Sequence, residues 1–148
     1  MGAVRRYRRV QRTGTGGGFP AREYPDGMEI WINPRCSKCR TAIGELDAAG
    51  AEYTVRRYLE EPPSTVELED VLERLSLEPW DITRLDEQAA KDLGMKEWGR
   101  EPADRSRWIT ALAEHPILIQ RPIITADDGH AVVARTPEAL KAIVPTLP

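Results

Sequence analysis

The chain is predicted to be an α/β protein that runs βαβ, then a helical insertion, then ββα, around a mixed four-stranded sheet. Three observations predict this. The apolar run Glu29-Ile30-Trp31-Ile32 is followed at once by residues with helical spacing, the run Glu52-Tyr53-Thr54-Val55-Arg56-Arg57-Tyr58 is rich in β-branched and aromatic residues, and two short apolar runs flank the turn Asp127-Asp128-Gly129-His130.

In order, Glu29–Ile32 reads as the first strand, and Ile43, Leu46 and Ala49 recur at helical spacing before the stop at Gly50. The run Glu52–Tyr58 is the second strand, which a helical crossover makes a parallel neighbour of the first. Ser64-Thr65-Val66-Glu67 is a capping box, and Val66, Leu68, Val71, Leu72 and Leu75 mark the helix face behind it. Shorter helices are expected at Asp86–Leu93, stopped by Gly94, and at Ala103–Glu114, with Trp108, Ile109 and Leu112 inward. Residues 64–114 are thus a helical subdomain, too long for an ordinary crossover. The stretch Ile117–Thr125 has a strand pattern interrupted by Pro122, which must mark a strand start, an edge or a special bend such as a cis peptide. Ala131–Ala134 returns as its hairpin partner, and Thr136-Pro137-Glu138-Ala139 opens the last helix.

Residues 28–148 are expected to form one domain, and residues 1–27 a disordered extension with no periodic apolar face. That extension holds six arginines and a glycine-rich stretch. A basic arm for nucleic acid or membrane, a targeting peptide and a dispensable tail compete for it, and the targeting reading fails because no apolar segment follows the arginines. The formal charge of −3 divides into +4 before Met28 and −7 after it, so the acidic body argues against a nucleic-acid partner. No apolar run is long enough for a membrane span.

The chemistry centres on Asn33-Pro34-Arg35-Cys36-Ser37-Lys38-Cys39-Arg40. It carries the only two cysteines, three residues apart at a strand-to-helix turn. A thiol there meets unpaired amides and the positive end of the helix dipole, and Arg35, Lys38 and Arg40 add cations. The thiolate should be favoured, with Cys36 more acidic than Cys39, and the same groups would bind an oxyanion. Two cysteines are too few for a disulfide scaffold or a four-ligand zinc site, so a redox pair, no metal and a cytoplasmic setting are expected. His115 and His130 lack ligand-like neighbours, and the four tryptophans read as packing residues.

The element order, with C-x-x-C on the first turn and an X-Pro before the third strand, resembles the thioredoxin fold. Three stretches narrow the resemblance: Asn33–Cys36, His115–Ile123 and Val133–Glu138 look like the signatures of the arsenate reductase family that couples to glutaredoxin-type donors. The likeness implies an arsenate reductase in which Cys36 is the nucleophile, Arg121 and Arg135 bind and polarise the oxyanion, and Arg84 is the best match for a third arginine. It also implies a cis peptide before Pro122; no tightly bound cofactor and a monomer are expected. Reducing power would come from an external glutathione- or mycothiol-like thiol with a glutaredoxin- or thioredoxin-type donor protein. Cys39 departs from the family, whose glutaredoxin-coupled members commonly lack a second cysteine there; it could resolve the adduct as a Cys36–Cys39 disulfide. Spx-type regulators, which bind RNA polymerase, share C-x-x-C and form the alternative reading. They need no arginine at the position of Arg135.

Overall fold

The computed structural model describes residues 7–9, 23–25, 28–126 and 128–143. Its main sheet has four strands, β3 (Met28–Ile32), β4 (Tyr53–Arg57), β5 (Ile123–Thr125) and β6 (Ala131–Val133), in the order β4-β3-β5-β6. β3 and β4 are parallel, with Ile30 opposite Val55, whereas β5 runs antiparallel to both β3 and β6. The mixed, thioredoxin-like topology is the predicted one.

The segment expected to lack structure differs at two places. β1 (Tyr7–Arg9) and β2 (Glu23–Pro25) pair antiparallel, with Arg8 opposite Tyr24, in a ribbon separate from the main sheet. A tyrosine in each strand supplies the β preference that a search for long apolar faces overlooks. The rest of residues 1–27 lies outside the described residues.

All five residues of β3 are buried, because both faces of this central strand are covered. Met28, Ile30 and Ile32 face a cluster with Cys39, Ala42 and Leu46 of α1 (Ser37–Ala48) and Leu140 and Ile143 of α5 (Pro137–Ile143). Trp31 faces the other way, into a larger cluster formed by the insertion: α2 (Thr65–Leu75), α3 (Gln88–Leu93), α4 (Arg105–Glu114) and the 3₁₀ turns between them. There Trp108 is fully buried, with Trp80 and Trp98 edge-on to it at 5.9 and 5.4 Å between centroids.

Local chemistry sets the ends of the insertion's helices. Ser64 Oγ accepts from the Glu67 amide at 3.1 Å and Glu67 Oε1 accepts from the Ser64 amide at 3.0 Å, completing the predicted capping box. Gly94 ends α3 at φ +67°, the left-handed region where a side chain is strained.

The predicted strand over Ile117–Thr125 is only partly a strand. Residues Pro116–Leu118 form a 3₁₀ turn, Ile119 makes an isolated antiparallel bridge with Thr83, and β5 begins after the cis Arg121–Pro122 bond. Proline cannot donate to a ladder, so the sheet strand starts beyond it. The residues before it pair with the insertion: the Arg84 amide donates to the Leu118 carbonyl at 2.7 Å and the Gln120 amide to the Ile82 carbonyl at 2.8 Å. This bridge brings a residue of the insertion, Arg84, beside the end of the sheet.

A candidate oxyanion and thiol site at the start of α1

The polypeptide leaves β3 at Ile32 and turns through Asn33–Arg35, where the Cys36 amide donates to the Asn33 carbonyl at 2.9 Å and the Arg35 amide to Asn33 Oδ1 at 3.0 Å. Cys36 is the N-cap of α1, half-buried and extended at φ −90°, ψ 121°. The pair sits at the predicted strand-to-helix turn, with Cys39 within the first helical turn. Helical geometry turns the third residue after the cap inward, and Cys39 is 1 % exposed.

Three residues therefore separate two very different thiols. Burial pushes the Cys36 thiol up, but the Cys39 amide and thiol, the Arg121 guanidinium and the Lys38 amide together outweigh it and draw the pKa from 9.0 to about 7. Burial of Cys39 pushes its thiol up to about 12, and the neighbouring Cys36 thiolate adds to the rise against opposing help from Asn33 and Arg121. Cys36 is the thiol ionised near neutral pH.

Arg121 sits across from this thiol at the cis peptide, with its side chain 12 % exposed. Its buried Nε and Nη1 have no hydrogen-bond partner among the described residues. Tyr58 and Cys36 raise its pKa, although burial acts in the opposite direction. Tyr58 is fully buried just beyond β4 and donates its hydroxyl to the Ile119 carbonyl at 3.0 Å. Burial pushes the Tyr58 phenol up to about 12, while Arg121 and Arg84 pull the other way. Arg84 donates through Nε to Glu87 Oε2 at 3.1 Å and through Nη1 to Gln120 Oε1 at 3.3 Å, and the same Glu87 oxygen stands 3.8 Å from Arg121 Nη1.

Of the residues singled out in the sequence, Cys36, Cys39, Arg84 and Arg121 thus converge. Arg135 comes next to them in another way: its Nη1 donates to the Arg121 carbonyl at 2.7 Å, while the Ala134 amide donates to the Pro122 carbonyl at 2.8 Å. Both contacts brace the backbone on either side of the cis bond. Arg35 and Lys38 are exposed beside Cys36, and Arg40, also exposed, turns its Nη1 back to the Pro34 carbonyl at 3.3 Å. A cavity of about 260 Å³ opens between α1 and α5, lined in part by Lys38, Thr41, Arg135 and Lys141. Among the described residues no group of three or more His, Cys, Asp and Glu side chains is placed to hold a metal ion.

Sequence reasoning missed Tyr58, Glu87 and Gln120. Tyr58 reads as an ordinary strand-end aromatic, although the parallel pairing of β3 with β4 brings the ends of both strands to the same edge of the sheet. The i, i+3 spacing of Arg84 and Glu87 was the available signal for the second.

The sequence model of the ArsC family matches residues 31–143, which include every converging residue. The chain is 68% identical over 114 residues to an uncharacterized protein from the glnII region of Streptomyces viridochromogenes, covering 77% of this chain and 96% of the relative. It is 35% identical over 118 residues to an arsenate reductase of Neisseria meningitidis, covering 79% of this chain and 97% of that protein. The solved structure of an arsenate reductase from Vibrio cholerae superposes with a TM-score of 0.71 at 34% identity, covering 78% of this chain and 96% of that one. This chain belongs to the ArsC family.

Proposed function

We propose that the protein is a thiol-dependent arsenate reductase in which Cys36 is the nucleophile. The observation that carries this reading is the pairing of a half-buried thiol of pKa about 7 with a guanidinium whose buried Nε and Nη1 have no hydrogen-bond partner among the described residues. Two unsatisfied buried donors next to a thiolate are costly unless an acceptor completes them, and a tetrahedral oxyanion does so while bringing its central atom to the sulfur. The arsenate reductases of Neisseria meningitidis and Vibrio cholerae support arsenate as that oxyanion.

In the first step the Cys36 thiolate attacks the arsenic of arsenate, a sulfur–arsenic bond forms, and one oxygen leaves as water after taking up a proton. Arsenic remains pentavalent. Arg121, Arg84 and the first amides of α1 offset the charge on the remaining oxygens, and Arg135 holds the Arg121 backbone in place. In the second step another thiolate attacks the Cys36 sulfur. A disulfide forms, the sulfur–arsenic electron pair passes to arsenic, and trivalent arsenite leaves.

Cys39 fits the role of that second thiol, since it lies one helical turn from Cys36 and its sulfur interacts with the Cys36 sulfur. Burial above all holds its thiol high, so Cys39 gives up its proton as the sulfur–sulfur bond forms. A dithiol donor of thioredoxin or glutaredoxin type then reopens the Cys36–Cys39 disulfide by exchange; if Cys39 stayed silent, an external glutathione- or mycothiol-like thiol would attack the Cys36 sulfur in its place, releasing arsenite and leaving a mixed disulfide for the donor protein to reduce.

The test is arsenate-dependent consumption of reductant with both donor types in parallel, using the unmodified chain, Cys36→Ser and Cys39→Ser. Turnover that disappears with Cys36→Ser supports the reading, and loss in Cys39→Ser assigns the resolving thiol. A chain that cycles its cysteines between thiol and disulfide but never consumes reductant in response to arsenate is not an arsenate reductase.

A further inference from the structure

One side chain in the site has a charge that opposes the proposed substrate. Glu87 lies just before α3, with 27 % of its side chain exposed, and caps no helix amide through its carboxylate. Its Oε2 instead accepts from Arg84 Nε at 3.1 Å and faces Arg121 Nη1 at 3.8 Å, too far for a hydrogen bond but close enough for an ion pair. One carboxylate oxygen therefore spans a guanidinium group of the insertion, Arg84, and the one at the cis-proline turn, Arg121, which acts on the thiol.

We propose that Glu87 is an internal counter-anion that competes with the oxyanion for Arg84 and Arg121, and so sets how tightly, and with what charge, an anion is held beside Cys36. The inference rests on the anion-binding reading of the site given above. Without a bound anion, two guanidinium groups, one of them largely buried, would face each other across a narrow space, and the carboxylate offsets that repulsion. It does so incompletely, because Arg121 Nε and Nη1 remain without hydrogen-bond partners among the described residues. A carboxylate that satisfied both arginines would shut the anion out; one that bonds to Arg84 and only approaches Arg121 leaves an opening for a stronger ligand. The two arginines and Glu87 carry one net positive charge together. Neutralising the carboxylate raises this to two, which favours doubly charged oxyanions most.

The competitor role makes a prediction opposite to that of a scaffold role. If Glu87 only held the arginines in position, its removal would loosen them and weaken anion binding. As a competitor, its removal strengthens binding.

The experiment measures protection of Cys36 from alkylation by iodoacetamide as arsenate or inorganic phosphate is added, in the full chain, with the modified residue identified by mass spectrometry. Glu87→Gln, nearly isosteric and still able to accept from Arg84, should lower the half-protecting arsenate concentration about fivefold, the scale of one partly exposed ion pair. It should also speed alkylation by the anionic reagent iodoacetate relative to neutral iodoacetamide, a ratio that a merely structural role would not move in this direction. Glu87→Asp, whose shorter side chain retreats from Arg121, should fall between, and it serves as the second variant if Glu87→Gln fails to fold. Unchanged or weaker protection in a folded variant overturns the proposal. Failure of arsenate and phosphate to protect the unmodified chain would instead overturn the anion-site reading itself, so the two failures are distinguishable.

Discussion

The two faces of the sheet are packed by different rules. Against one face, α1 and α5 bury Ala42, Leu46, Leu140 and Ile143 on Met28, Ile30 and Ile32, an apolar layer that also holds the thiol of Cys39. Against the other, the insertion buries Trp31, Leu68, Leu72, Trp108 and Leu112, but towards the cysteine end this core gives way to Tyr58, Arg84, Glu87, Gln120 and Arg121. The first face positions a helix start and a thiol by ordinary packing. The second supplies cations, and holds them by hydrogen bonds across a bridge between residues 82–84 and 118–120. The site forms where the two meet. The α1 side brings the thiol, with Arg35 and Lys38 exposed beside it, and the insertion adds Arg84 through its bridge to residues 118–120.

The largest effects that test this division are on stability. Leu46→Ala on the α1 face and Leu112→Ala on the insertion face each remove a fully buried side chain, and each should cost about 2–5 kcal/mol in denaturant unfolding. If the faces form one cooperative unit, both variants unfold in a single transition; two separate transitions for Leu112→Ala would mean that the insertion unfolds alone.

Next comes Arg121→Ala, where the two faces meet. It should lower arsenate-dependent kcat/KM about 100-fold or more, as loss of an oxyanion donor does elsewhere. Its stability, by contrast, should stay within about 1 kcal/mol of the parent, because the guanidinium atoms removed include two without hydrogen-bond partners. A variant that lost several kcal/mol of stability would show that Arg121 belongs to the core.

A smaller change is expected from Tyr58→Phe, which keeps the ring and removes the hydroxyl bonded to the Ile119 carbonyl. About 1–3 kcal/mol is the cost of leaving that buried acceptor unpaired, read from the unfolding midpoint. Ser64→Ala is expected to cost about 1 kcal/mol, since only the cap of α2 is lost, and it should leave the thiol chemistry unaltered.

Much of this arrangement was legible in the sequence, and the parts that were not share a cause. Ile30, Leu46 and Leu72 announce their elements by local period, and Ser64 and Gly94 announce helix ends by backbone chemistry, so the element order and the mixed sheet follow. The cysteine order also follows, because a helix N-terminus favours the thiolate nearest to it and three residues of helix carry the next one inward. What a local period cannot reveal is which side chains from distant segments meet. Tyr58 and Arg121 are joined only through the fold, and the bridge of Thr83 to Ile119 that brings Arg84 in takes up the part of the Ile117–Thr125 strand pattern that precedes Pro122. The paired strands at Tyr7–Arg9 and Glu23–Pro25 escaped for a simpler reason: three-residue strands are too short to show alternation.

If groups from both faces hold Cys36 as a thiolate, its titration shows it. Alkylation of the unmodified chain by iodoacetamide, followed by mass spectrometry from pH 5 to 10, should rise with a midpoint of about 7 at Cys36, since below that pH the sulfur is protonated and above it is the reactive anion. Cys39, buried and pushed up to about 12, should stay unmodified over the same range. In Arg121→Ala the Cys36 midpoint should move upward towards the ordinary 9.0, because a cationic partner of the thiolate is gone. A midpoint near 9.0 in the unmodified chain, or Cys39 reacting first, would mean that these groups do not hold Cys36 as a thiolate.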